Sequence, residues 1–161
     1  MAPEVRDMAE VAESYCRLVE AVSEANGSWL DDVARLLPRI HASIAALGEH
    51  SPAMEHTLEA DLDARFELFS HLRELLGSRD GYWMEFDRRD DRQCMSGSLA
   101  DDLTDIYCEL KHGLRVLEAE EKGPEKARET WLRGYSAHWG QHLLDAERHL
   151  YSLQVRGALA C

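Results

Sequence analysis

The stretch that decides the fold is residues 98–121, SLADDLTDIYCELKHGLRVLEAEE. Ser98 with Asp101 three residues later is typical of a helix start, where polar side chains bind the first free backbone N–H groups. After this start, apolar residues recur at steps of three and four, which places them on one face of an α-helix. They are Leu99, Leu103, Ile106, Leu110, Leu114 and Leu117. The pattern predicts a long helix with one face in a hydrophobic core.

The same periodicity predicts four more helices, and they cover about residues 3–25, 28–47, 51–76 and 124–154. Pro38 lies inside the second of them and is expected to kink or break it, because proline lacks a backbone N–H. No stretch alternates β-branched and polar residues as a strand would. We therefore expect an all-α protein, a single-domain bundle of four to five helices spanning residues 1–161.

Residues 78–97 interrupt the helical pattern just before the fourth predicted helix. So long a segment is unusual in a compact bundle, and we predict one long irregular connection. Its aromatic half, residues 82–86, is expected to pack over the core as a lid. Its charged half, residues 87–92, is expected to be solvated.

The composition indicates which kinds of binding partner, and which cellular compartment, fit this protein. Eighteen Lys and Arg against thirty-one Asp and Glu give a formal charge of −13, so nucleic acid and anionic membrane surfaces would be repelled. No run approaches the roughly 18 apolar residues of a membrane span. The four cysteines form no C-x-x-C pair and are expected to be free thiols: Cys16, Cys94, Cys108 and Cys161. We therefore expect a cytoplasmic protein.

Three motifs in the second half of the chain resemble those of a known family. They are GYWMEFD at residues 81–87, GSLADDLTDIY at residues 97–107, and HWGQH at residues 138–142 followed by Asp145 and Ala146. Together they resemble the bacterial all-helical family called domain of unknown function 5063. The resemblance covers about the last half of the chain and implies no activity, cofactor or substrate.

Two rows of polar residues flank the predicted apolar faces. Asp102, Asp105 and Glu109 fall along one flank of the fourth helix, and His138, His142 and His149 fall along one flank of the last helix. If the two flanks meet, carboxylates and imidazoles come together, which is the set of groups from which metal sites in helical bundles are built.

Three interpretations of these rows stay open. The first is a structural seam of hydrogen bonds, because a buried carboxylate is costly unless a neighbouring group stabilises it. The second is a zinc, iron or manganese site with Glu109, His138, His142 and His149 as ligands, and the third is proton-transfer catalysis. Candidate residues for binding another ligand are Tyr82, Trp83, Asp102, Asp105, Tyr135 and Trp139. The leading expectation includes no cofactor.

Glycines and tryptophans inside the predicted helices give a further expectation about packing. Gly113, Gly134 and Gly140 each cost about 1 kcal/mol relative to alanine in a helix, so close helix contact is the expected reason for them. Trp83, Trp131 and Trp139 are expected to fill the core.

The function that this sequence favours is non-catalytic. We expect an acidic helical module that binds a partner protein or associates with itself as a homo-oligomer. The contact candidates are residues 82–86 and an exposed apolar helix face. The alternative is a bundle that binds a metal ion or small ligand at the histidine and carboxylate rows.

Overall fold

Helices make up most of the part of the chain that the computed structural model describes, which is residues 1–23, 25, 27–49, 56, 58, 61–85, 94–119 and 123–157. The helices are α1 (Pro3–Glu20), α2 (Gly27–Ala46), α3 (Leu62–Leu76), α4 (Leu99–Ala119), α5 (Gly123–Gly134) and α6 (Gly140–Val155). Two strands, β1 (Gly81–Glu85) and β2 (Cys94–Ser98), precede α4. Among these described helices, none has the length and apolar character needed to cross a membrane.

The helix α4 lies at the centre of the bundle. It packs against α1, α3, α5 and α6, while α2 packs against α1 and α6. Its predicted apolar face is buried at Leu99, Leu103, Ile106, Leu110 and Leu114, with Leu117 partly buried. This packing confirms the prediction of an all-α bundle.

The boundaries of the first three helices differ from the predicted ones. The helix α1 ends at Glu20, and α2 continues through Pro38 without a break. The predicted start of α3 at Ser51 lies outside the described residues, and α3 begins at Leu62. Asp61 explains this start, because its carboxylate accepts hydrogen bonds from the amides of Asp63 and Ala64, which would otherwise lack partners. Two apolar residues of this helix, Leu62 and Phe66, are exposed.

The prediction of an irregular connection was wrong for residues 81–85 and 94–98, which form an antiparallel pair of strands. Tyr82 pairs with Gly97, and a Cβ at Gly97 would lie 2.3 Å from the Tyr82 ring, so glycine is what lets the ring lie across β2. Tyr82 and Met84 are half-buried, whereas Trp83 between them is 73% exposed. The prediction that Trp83 fills the core was wrong. Successive side chains of a strand point to opposite faces, so Trp83 points away from the face on which Tyr82 and Met84 lie.

The last predicted helix is confirmed in extent but is not uniform. Between α5 and α6, Tyr135–Trp139 form a π-helical turn, so residues 123–155 are helical throughout. Trp131 and Trp139 are fully buried, as predicted.

Two free thiols, those of Cys16 and Cys108, lie within the described part of the chain.

Gly113 permits close contact between α4 and α5. A Cβ at this position would lie 2.0 Å from Nε1 of Trp131, whose indole is fully buried and has little room to move. We expect Gly113→Ala to lower the free energy of unfolding by about 2 kcal/mol, because overpacking outweighs the helix propensity that alanine adds. Urea denaturation would measure this loss.

The matched control for this prediction is Gly81→Ala. No atom lies within 4 Å of a Cβ built at Gly81, so its effect should stay within about 0.5 kcal/mol. Equal stability of Gly113→Ala and the parent protein would contradict the packing argument.

Candidate functional site

A row of buried carboxylates runs along α4. Asp102 and Asp105 are each 4% exposed, and Glu109 is 1% exposed. The three residues are spaced by three and four positions, so successive turns of one helix carry them on the flank facing α6. A carboxylate removed from water is stable only when hydrogen-bond donors or cations replace its hydration. The partners of these three groups therefore define the site.

Two histidines from the last helical segment contact this row. Nδ1 of His138 lies 2.8 Å from Oε1 of Glu109, and Nδ1 of His142 lies 2.8 Å from Oδ1 of Asp102. The two sequence rows thus meet at the interface of α4 with α6 and the π-helical turn. Each imidazole uses its Nδ1 atom for a different carboxylate.

The other ring nitrogens of these histidines point towards the middle carboxylate. Nε2 of His142 lies 3.3 Å from Oδ2 of Asp105, and Nε2 of His138 lies 3.7 Å from the same oxygen. Asp105, His138 and His142 each offer one potential ligand atom, and these atoms all lie within 4.8 Å of one another. The two rings are nearly perpendicular, with centroids 5.0 Å apart. The group can hold one metal ion.

Local backbone features bring His138 and Glu109 together. His138 lies in the π-helical turn, a widened turn that often occurs at functional sites. A Cβ at Gly134 would lie 2.6 Å from Oε2 of Glu109, so this glycine makes room for the carboxylate. At Gly140 a Cβ would lie 2.6 Å from the carbonyl oxygen of Tyr135 at the start of the same turn. Close helix contact, as predicted, explains Gly113 and also Gly134, which approaches Glu109 of α4, whereas Gly140 makes room for the backbone of the π-helical turn.

Two residues that the sequence did not single out complete the surroundings of the carboxylates. Nε2 of His56 lies 2.8 and 3.0 Å from the two oxygens of Glu109. Nε of Arg65 donates to Oδ1 of Asp105 at 2.8 Å, and its Nη2 donates to Asp101 at 3.0 Å. Helical periodicity could not reveal either contact, because both come from elements that approach α4 from a distant part of the chain.

The remaining candidate residues occupy different places. The hydroxyl of Tyr82 donates to Oδ2 of Asp102 at 2.5 Å. This bond links the site to the antiparallel pair of strands β1 and β2, called the hairpin below. His149 stacks on the Tyr82 ring at 4.6 Å, and its Nε2 lies 2.7 Å from the carbonyl oxygen of Arg79. His149 is therefore not brought into the cluster with His138 and His142. Trp83 points away from it.

The two aromatic candidates on the π-helical turn lie behind the cluster. The Tyr135 hydroxyl lies 3.3 Å from Nε2 of His41, and its ring packs edge-on against Trp139. The buried Nε1 of Trp139 has no hydrogen-bond partner among the described residues. A Cβ at Gly134 would lie 3.1 Å from this nitrogen, so Trp139 borders the space that Glu109 occupies.

Comparison with known proteins places the chain in a family. Residues 1–156 match the family model described as "Domain of unknown function (DUF5063)". The chain belongs to this family. The match to the DUF5063 family includes the first half of the chain, where the sequence motifs had given no resemblance.

A solved structure shares the fold of this DUF5063 protein. It is the crystal structure of protein BF1032 from Bacteroides fragilis, which is 18% identical, with a TM-score of 0.76 over 95% of this chain and 93% of that chain. At this identity the likeness concerns the fold alone. No curated protein matches the DUF5063 chain.

The pKa values of the site reflect burial and pairing. Burial raises the pKa of Asp102 above its ordinary range, although hydrogen bonds from His142 and Tyr82 oppose the shift. Burial disfavours the His142 imidazolium, but the hydrogen bond to Asp102 and the charge of Asp105 outweigh it, so the pKa of His142 is raised above 6.5. Burial and the bond to Asp102 raise the pKa of Tyr82, whose phenol therefore keeps its proton.

The raised pKa of His142 predicts a loss of stability with rising pH. A group whose pKa is higher in the folded state contributes stability that is complete below its unfolded pKa, here 6.5, and lost as pH rises through the folded pKa. In metal-free protein with EDTA, we expect the free energy of unfolding to fall as pH increases above 6.5. Asp102→Asn should lower the pKa of His142 and flatten this slope.

Urea denaturation across that pH range and NMR titration of His142 would measure both effects. Asp7→Asn, which removes an exposed carboxylate from α1, is the matched control and should keep the parent slope. A His142 pKa at or below 6.5 in the folded parent would contradict the expected stabilisation by Asp102.

Proposed function

We propose that this DUF5063 protein binds a divalent transition-metal ion through Asp105, His138 and His142. One observation carries the proposal: Nε2 of His142 and Nε2 of His138 lie 3.3 and 3.7 Å from Oδ2 of Asp105. Each of the three residues offers one potential ligand atom, and these atoms lie within 4.8 Å of one another. A bound ion would require small movements of these side chains and no change of the helices that carry them.

The outer contacts of the two histidines support this proposal. A histidine that binds metal through one ring nitrogen commonly donates the other N–H to a carboxylate, which fixes its tautomer and orientation. Glu109 would accept from Nδ1 of His138, and Asp102 would accept from Nδ1 of His142. Both Nε2 lone pairs would then face Asp105. We therefore assign Glu109 a supporting position instead of the ligand position that the sequence suggested.

The ligand set also bears on the kind of ion and site. Two imidazoles and one carboxylate suit zinc, iron or manganese. Three protein ligands leave coordination positions open for water or another ligand, as in catalytic zinc sites and unlike closed structural ones. The side chains of His138 and His142 are 38% and 22% exposed, so an ion held there would be accessible from solvent. An ion in such a site can polarise a ligand or lower the pKa of bound water.

The metal proposal is tested by elemental analysis of protein purified without a His tag. We expect about one zinc, iron or manganese ion per chain, and the His138→Ala/His142→Ala double variant should lose it, because two of three ligands are removed. His112→Ala is the matched control, since His112 lies on α4 and bonds to no described residue. It should keep the ion.

A retained fold must accompany the loss of metal in the double variant, and circular dichroism would show it. Substoichiometric metal in the parent, even after reconstitution with each of the three ions, would contradict the proposal. That result would leave the histidines and carboxylates as a structural seam.

The second candidate function is the self-association that the sequence favoured, and the surface of α6 supports it. Leu144, Tyr151 and Val155 are 46%, 65% and 67% exposed and lie on one face of this helix, because they are spaced by seven and four residues. Exposed apolar side chains in a row are typical of contact surfaces.

We expect light scattering across a dilution series to show a dimer that the Tyr151→Glu variant dissociates, because a charge would be buried at the contact. Leu62→Glu is the control, since Leu62 is 75% exposed but belongs to α3. A monomer at every concentration would exclude self-association.

A further inference from the structure

A cleft on the protein surface is lined by Arg65 and lies outside the group formed by Asp105, His138 and His142. It has a volume of about 180 Å³ and opens between the end of α1, the start of α3 and the middle of α4. One wall is apolar and is formed by Leu58, Ala64 and Leu68. Three cationic side chains converge on the cleft, and they are Arg65, Lys111 and Arg115. Such a convergence stands out in a protein with a net charge of −13.

Two of these cations are already neutralised. Nζ of Lys111 lies 2.8 Å from Oε1 of Glu20, and Arg65 pairs with Asp101 and Asp105. Hydrogen bonds from Lys111 and Tyr107 lower the pKa of Glu20, so its carboxylate stays ionised beside Lys111. The charges of Lys111 and Arg65 therefore do not require a ligand.

The third cation has no such partner. Arg115 is exposed on α4 and forms no hydrogen bond or ion pair with any described residue. Asp61 also lines the cleft, but its Oδ1 accepts hydrogen bonds from the amides of Asp63 and Ala64 at the start of α3. The positive end of the α3 dipole partly compensates the charge of this carboxylate. Among the three cations of the cleft, Arg115 is therefore the one that pairs with no described carboxylate.

The side chain of Cys108 also lines the cleft. Burial raises the pKa of the Cys108 thiol to about 11, so the sulfur is neutral at physiological pH and behaves as a small apolar group. Together with Leu58 and Leu68 it forms a surface that suits a hydrocarbon group. The cleft thus combines apolar side chains with a guanidinium, that of Arg115, which pairs with no described residue.

We propose that this cleft binds a small organic monoanion, a carboxylate with an aliphatic or aromatic body. The carboxylate would pair with Arg115, whose planar guanidinium matches it with two parallel hydrogen bonds. The body would lie against Leu58, Leu68 and Cys108 and leave water. The proposal is independent of the metal site, although Arg65 lines this cleft and also holds Asp105.

Hexanoate is the probe, titrated into the full chain by calorimetry and followed by ¹H–¹⁵N NMR. We expect one site per chain, with shifts of backbone amides around Ala64 and Cys108. Arg115→Gln should weaken binding about tenfold or more, the loss expected when a charge-assisted hydrogen-bonded pair is removed. Arg39→Gln is the matched control, an exposed arginine on α2 that bonds to no described residue, and it should bind like the parent.

Three further measurements distinguish binding in this cleft from binding elsewhere on the protein. Acetate, which lacks the hydrocarbon chain, and hexylamine, which reverses the charge, should both bind far more weakly than hexanoate. Chelation of metal with EDTA should leave hexanoate binding unchanged, because a carboxylate held by a metal ion would be released together with that ion.

Equal affinity of Arg115→Gln and the parent for hexanoate would overturn the proposal. So would an equal loss in Arg39→Gln, loss of binding in the presence of EDTA, or binding of hexylamine as tight as that of hexanoate.

Discussion

The burial of three carboxylates on one helix is the constraint on which the rest of this structure depends. Asp102, Asp105 and Glu109 lie on the helix that packs against four others, so they cannot turn to solvent without moving the core. A buried and unpaired carboxylate would cost several kcal/mol, an appreciable share of the roughly 5–15 kcal/mol that stabilise a domain. The surrounding elements must therefore supply donors at defined places.

The donors come from distant parts of the chain, and this ties those parts together. Arg65 connects α3 to Asp105, Tyr82 connects the hairpin to Asp102, and the π-helical turn carries His138 to Glu109. Gly134 is small because Glu109 needs the space beside it. Truncating one of these donors would remove one partner of a buried carboxylate, so the polar contacts bear on the position of β1 and of α3 as well as on the site.

Part of this arrangement was predictable from the sequence, and the reason is periodicity. The carboxylate and histidine rows were visible because each lies on one long helix, where spacing fixes the face. The hairpin was missed because GYWME and CMSGS contain no β-branched residue, and its pairing depends on Gly97 receiving the Tyr82 ring. His56 and Arg65 were missed because only tertiary packing brings them to α4. Their roles have no signature in local sequence.

The charges of the site link its structural interpretation to the metal interpretation. Among the described residues, Arg65 is the only arginine or lysine that pairs with one of the three carboxylates, and it also pairs with Asp101. Ionisation of all three carboxylates therefore leaves two negative charges to be neutralised in a medium of low dielectric. Two protonated imidazoles could supply two positive charges, and so could one divalent ion bound between neutral imidazoles. The ion and the protons would compete for the same Nε2 atoms, so metal binding would strengthen as pH rises and the imidazoles lose their protons. Under the metal proposal, the structural seam and the metal site would be two states of one arrangement, and the concentration of the ion and the pH would decide between them.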